Sequence, residues 1–77
     1  MSDFRILGRI ERRPAGDFRA VASAIPDHVG ADPDPTDVDM EEESTLDGCR
    51  IALGRLVHGM AARVMGRGDQ VVWLDVR

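Results

Sequence analysis

Three residue types are missing from this 77-residue chain, and others are scarce. Lysine, asparagine and tyrosine do not occur, and there are one cysteine, one tryptophan and two phenylalanines. A single cysteine excludes an intrachain disulfide and any metal site built from several cysteines. It fits the reducing environment of a cytoplasm. The missing residue types have AT-rich codons, which indicates a GC-rich bacterial genome.

Long apolar runs are absent as well. The longest stretches without a charged residue are about seven residues, whereas a membrane-spanning helix needs roughly twenty. We therefore expect a soluble cytoplasmic protein that does not enter a membrane. A chain of this length forms one small domain with a thin core, and such domains often gain stability by self-association.

Positive and negative charges are separated along the chain. Nine of the fourteen acidic residues lie between Asp27 and Asp47, in a segment that contains no arginine. Residues 1–26 carry a net charge of +2 and residues 48–77 a net charge of +3, and the whole chain carries -4. Such separation bears on partners. The acidic segment favours a basic protein partner and repels the phosphates of a nucleic acid.

Two alternating segments predict a β-hairpin over residues 4–25. Residues 4–12 and 18–25 both alternate in side-chain character, which is typical of strands with one buried face. Pro14 and Gly16 supply turn residues between them. Pro26 then ends the hairpin.

The segment 26–43 is interpreted as a mobile acidic loop. Pro33 and Pro35 each remove a backbone donor and favour extended geometry in the residue before them. Mutual repulsion of the carboxylates swells the segment further. After it, apolar residues at spacings of three and four predict a helix over 44–66, with Ser44 as N-cap and Gly66 at its C-terminal end.

The last predicted element is a strand over residues 71–76. The element order is then β-β-α-β, and the predicted fold class is α+β. We expect a three-stranded antiparallel sheet of order 2-1-3 with the helix packed on one face. The other face stays open and presents Leu7, Val21, Ile25, Val71 and Trp73, and the patch predicted from them is Leu7, Val21, Val71 and Trp73. Apolar patches with an aromatic anchor mark association surfaces, so these residues predict a homodimer interface.

The acidic segment also admits a divalent-cation site. With Asp32 as the first position of a twelve-residue calcium loop, Glu43 takes the position of the bidentate glutamate. The glycine that such a loop needs at its sixth position is Asp37, which counts against an EF-hand. Loose calcium binding remains an alternative, and the same carboxylates could bind a basic partner. The candidate residues for either role are Asp32, Asp34, Asp37, Asp39 and Glu43.

No motif in the chain indicates an enzyme or a cofactor. No glycine-rich loop follows a strand, and no serine lies in a nucleophile elbow. Cys49 is expected to be a buried apolar residue. Nucleic-acid binding by the hairpin arginines is a further alternative, which a single tryptophan and the acidic segment disfavour.

The layout resembles the small HicB-like antitoxin fold. The likeness lies in the N-terminal hairpin, the proline-containing turn at 24–27, the acidic entry into the helix at 43–47 and the closing strand. It covers most of residues 4–76. The chain departs from that family in lacking the glycine-cysteine pair after the proline, in its longer acidic loop and in having no DNA-binding segment after Val76. The resemblance implies a protein-binding module that masks a basic partner.

Overall fold

A computed structural model describes residues 2–27 and 34–76. It contains five elements: β1 (Asp3–Arg12), β2 (Phe18–Pro26), β3 (Asp37–Glu43), α1 (Leu46–Gly66) and β4 (Gln70–Val76). The strands form one sheet in the order β3-β2-β1-β4, and α1 packs on one side of it. We call this side the helix side and the opposite one the outer face. None of the helical residues in these two ranges forms a span long and apolar enough to cross a membrane.

The α+β class with one helix on a sheet is confirmed, but the three-stranded antiparallel sheet is wrong. The hairpin strands β1 and β2 are antiparallel, β3 is antiparallel to β2, and β4 is parallel to β1. The order β2-β1-β4 matches the predicted order 2-1-3. The direction of the closing strand differs because β3 is an additional strand before the helix, and each added antiparallel strand reverses the chain.

Strand β3 lies in the segment that was predicted to be a mobile loop. It pairs along its whole length with β2, from Phe18 opposite Glu43 to Ala24 opposite Asp37. Its side chains alternate, with acidic residues toward the helix and Val38 and Met40 on the outer face. The mobile-loop prediction is therefore wrong for residues 37–43, and residues 28–33 of that loop lie outside the described ranges.

The helix begins two residues later than predicted and ends at Gly66, as predicted, but the capping residues differ at both ends. Thr45, rather than Ser44, is the N-cap, and its Oγ1 accepts a hydrogen bond of 3.1 Å from the amide of Gly48. At the other end the glycine in the left-handed conformation is Gly68, with φ of 89°, rather than Gly66. Its amide donates to the carbonyl of Met65 and the next amide donates to Val64, which is the Schellman arrangement.

The core lies between α1 and the strands β1 and β2. On β2 it is lined by three alanines, and small side chains bring the helix close to the sheet. On β1 the backbone itself is approached, because a Cβ atom added at Gly8 would lie 2.9 Å from Val57 Cγ2. The buried apolar residues on the helix side are Phe4, Ile6, Ala20, Ala22, Ala24, Cys49, Ala52, Leu53, Val57, Met60 and Val64.

Candidate interaction surface on strand β4

Ion pairs attach one flank of the helix to the acidic side chains of β3. Arg55 Nη2 lies 3.0 Å from Glu41 Oε2, and Arg67 Nη1 lies 3.2 Å from Asp37 Oδ2. Arg63 bonds to Asp39 between them. Each exposed pair is worth at most about 1 kcal/mol. They join the helix to the β3 side of the sheet, in addition to its apolar packing against β1 and β2.

The consequence of this placement is that β4 is left largely uncovered by the described residues. Leu74 and Val76 lie beside Ile6 and Gly8 of β1 and therefore point to the helix side. Both are nevertheless 52% exposed. Of the apolar residues of β4, Val71 alone packs against the core.

Four apolar residues of β4 form what we call the β4 strip. A register shift between Phe4 and Arg5 places an extra residue, Val72, in a bulge, and Trp73 then lies beside Arg5 on the outer face. The strip is apolar on both sides of the sheet and along its edge. Its members and their exposures are Val72 (46%), Trp73 (59%), Leu74 (52%) and Val76 (52%).

The backbone of β4 is also available, because β4 is an edge strand. It pairs with β1 on one side, and no strand of the described ranges pairs with the other. Edge strands present a row of unpaired N–H and C=O groups that can template pairing with another chain. The sole charged residue of β4 is Asp75. The opposite edge, β3, carries five acidic residues among seven, so the two edges differ sharply in their capacity to associate.

An apolar groove continues the β4 strip on the helix side. It lies between the N-terminal half of α1 and the end of β4, and its one charged lining residue is Arg50. Leu46 and Val76 at its mouth are both exposed. The apolar lining residues are Ile10, Leu46, Leu53 and Val76.

The predicted interface residues do not form one patch. Leu7, Val21 and Trp73 share the outer face, but Val71 lies beside Phe4 on the helix side. Val21 is only 2% exposed, and Leu7 is half-buried. The residues that the sequence reasoning missed are Val72, Leu74 and Val76. The alternation along the strand predicted that these side chains would lie on the inner face, covered by the helix. No local pattern indicated that the helix would lie away from β4 and leave them exposed.

Charged side chains occupy much of the outer face. Glu42 on β3 accepts from Arg19 on β2 and also contacts Arg13, while Glu11 pairs with Arg9 and Arg19. The hydrogen bond from Arg19, followed by that from Arg13, holds the pKa of Glu42 below its usual value. Of the hairpin arginines that were considered for nucleic-acid binding, Arg5, Arg9, Arg13 and Arg19 thus have carboxylate partners.

The candidate cation ligands are spread along a strand. Asp37 and Glu43 begin and end β3, and six residues of extended chain separate them by about 20 Å. Asp39 lies between them and bonds to Arg63. Asp34 is exposed ahead of the strand, and Asp32 lies outside the described residues. In residues 2–27 and 34–76, no three His, Cys, Asp or Glu side chains are grouped to hold a metal ion.

Cys49 lies in the N-terminal half of α1, and its side chain is buried in the core. Burial, followed by the negative charges of Glu43 and Glu41, raises the pKa of its thiol. The thiolate is the nucleophilic form. The side chain therefore serves as a small apolar core residue.

Comparison with known proteins adds no relative. No protein-family model, curated protein or solved structure matches this chain.

Proposed function

We propose that this chain is a non-enzymatic protein-binding module that self-associates through the β4 strip. The observation that carries the proposal is an edge strand with four half-exposed apolar residues and a single charge. Monomeric proteins seldom leave such a strand open, because it is a template for association. Self-association was also expected from the sequence, but the proposed interface is centred on the β4 edge instead of the outer face.

The energetics favour association at this strand. Fully burying a valine or leucine side chain contributes about 1.5–3 kcal/mol, and the four residues of the strip are each close to half exposed. Trp73 adds the aromatic group that most often dominates binding energy at interfaces. Little desolvation opposes this, since Asp75 is the one charged group on the strand.

The rival functions have less support. A calcium site needs carboxylates that converge, whereas Asp37 and Glu43 stand at opposite ends of β3. A basic partner would have to displace Arg55, Arg63 and Arg67 from the acidic side chains that they already contact. Nucleic-acid binding needs free cations, and most of the hairpin arginines have carboxylate partners.

Sedimentation velocity from micromolar to millimolar concentration tests the proposal. We expect the native chain to pass from monomer to dimer, and Leu74→Arg to remain monomeric because it places a charge in the strip. Ile51→Arg is the matched control, since Ile51 is 68% exposed on the helix and the charge change is the same. A native chain that stays monomeric at millimolar concentration contradicts the proposal, and so does equal loss of dimer in both variants.

A further inference from the structure

We propose that the partner is a second copy bound edge to edge, with β4 of one copy antiparallel to β4 of the other in a continuous eight-stranded sheet. This arrangement rests on the self-association proposed above and specifies its geometry. Antiparallel pairing of one strand with itself has two-fold symmetry, so the same surface serves both copies. The dimer is then closed rather than open-ended.

The acidic edge decides which strands can meet. A β3 edge brought against another β3 edge would set carboxylates opposite carboxylates, and directly opposed like charges destabilise a sheet. A β4 edge against a β3 edge gains no charge attraction, because the one charged residue of β4 is Asp75. Pairing of β4 with β4 avoids both problems and leaves a β3 edge at each end of the sheet.

The residues of β4 also select a register. With Leu74 on the two-fold axis, Leu74 faces its own copy and the bulged residue Val72 falls opposite Val76, so all these opposed positions are apolar. Trp73 then faces Asp75 on the outer side, one strand from Arg5. Moving the axis to Asp75 would oppose two carboxylates, and moving it to Trp73 would set Gln70 against Val76. Leu74 is therefore the position that we assign to the axis.

The outer face is the competing surface, and its charges argue against it. Stacking two copies through this face would remove ion-paired side chains from water, which is costly unless every one is paired again. Edge pairing leaves them solvated. The groups concerned are Arg5, Arg9, Glu11, Arg13, Arg19 and Glu42.

Edge pairing also covers the helix side of β4. In this register, directly opposed residues of the two β4 strands point to the same face of the sheet. Both helices therefore lie on the same face of the joined sheet. Leu74 and Val76 of the two copies then form a common apolar floor between the helices. The groove residues Ile10, Leu46 and Leu53 border that floor on each side.

Cysteine cross-linking tests the axis directly. In a Cys49→Ala background, we expect Leu74→Cys to form disulfide-linked dimers on mild oxidation. Directly opposed Cα atoms of antiparallel strands lie about 4.5–5.5 Å apart, within the range of about 4.4–6.8 Å that a disulfide bridges. Met40→Cys is the control, since Met40 is 59% exposed but lies on the outer face of the opposite edge strand. It should link at least tenfold more slowly.

A mixed experiment tests the register. Val72→Cys and Val76→Cys, prepared in the same background and made distinguishable by isotope labelling, should link to each other when mixed. Neither should link efficiently to itself. Val72 of one copy lies four residues along the strand from Val72 of the other copy, a distance of about 13 Å, and the same holds for Val76.

The outcomes separate this geometry from self-association as such. If sedimentation gives a dimer but the outer-face probe Met40→Cys links in preference to Leu74→Cys, edge pairing is overturned and the self-associating module stands. If the Cys49→Ala chain and the native chain are both monomers at millimolar concentration, both proposals fail. A dimer in which Leu74→Cys links fastest, with the Val72–Val76 pair, supports the assigned axis.

Discussion

Gly8 is the residue at which the helix comes closest to the sheet. Besides the approach to Val57, a Cβ atom at this position would lie 3.1 Å from Leu53 Cδ1. Its backbone needs no unusual conformation, so the absence of a side chain serves packing alone. The three alanines of β2 serve the same end on the neighbouring strand.

Gly8→Val should therefore destabilise the fold although valine favours strands. Overpacking of this kind costs about 1–3 kcal/mol, which urea denaturation measures as a lower midpoint. Gly54→Ala is the control, because apart from its chain neighbours and the adjacent helix backbone no described atom lies within 4 Å of a Cβ at that helical position. It should stabilise the chain by up to about 1 kcal/mol. Equal stability of Gly8→Val and the native chain would contradict the close approach.

At the scale of elements, β3 is an edge strand protected by its own sequence. Inward-pointing charged residues are one way in which proteins prevent sheet edges from pairing with other chains. Here the inward carboxylates of Asp37, Asp39 and Glu41 also find arginine partners on α1. One row of side chains thus blocks the edge and orients the helix.

Neutralising part of this row should open the second edge. We expect the double variant Asp39→Asn, Glu41→Gln to form species larger than a dimer at high concentration, detected by light scattering. The loss of two surface ion pairs lowers stability by about 0.2–1 kcal/mol each. The control is Asp34→Asn, Asp47→Asn, which removes the same charge from exposed positions outside the strand. Higher-order association in the control as well would show that net charge, not the edge, is responsible.

The sequence predicted the elements whose apolar periodicity is strong and failed where charge replaces it. The hairpin, the helix and the closing strand followed from alternation and from spacings of three and four. Strand β3 did not, because its inward row is acidic and resembles a solvated segment. Two features of the sequence indicate this strand. Val38 and Met40 alternate with acidic residues, and arginines that can pair with those acids lie on one flank of the helix. Missing this strand also reversed the predicted direction of β4.

The candidate surface could be predicted only in part. Trp73 was identified, because an aromatic residue on an open sheet face is visible in the pattern. The exposure of Leu74 and Val76 was not, since it depends on where the helix lies across the sheet. That placement depends on packing against the β2 alanines and on ion pairs between distant segments, such as Arg55 with Glu41, which no local periodicity encodes.

At the scale of the whole molecule, folding brings together the charges that the sequence separates. The acidic segment and the arginine-bearing helix are opposite in sign and pair with each other within one copy. What remains is a net charge of -4 with few charges at the β4 edge. In the proposed dimer, weak long-range repulsion between the two copies would therefore be opposed by apolar contact at the β4 edge.

Dimerisation should accordingly strengthen with added salt. Raising the ionic strength from 0.01 to 1 M shortens the Debye length from about 30 to about 3 Å, which screens repulsion between the copies and leaves apolar burial intact. Sedimentation equilibrium at low and high sodium chloride would give the two dissociation constants. A dimer that weakens as salt rises would instead indicate an interface held by ion pairs, such as one through the outer face.

The parallel pairing of β4 with β1 joins the two ends of the chain, and this has a consequence for folding. β1, β2 and β3 follow one another and can assemble from contacts close in sequence, whereas Asp3 meets Gln70 only after a loop of nearly the full chain closes. The final strand should therefore dock last during refolding. Until it does, the most apolar strand edge of the protein is loose, so refolding yield should fall as protein concentration rises.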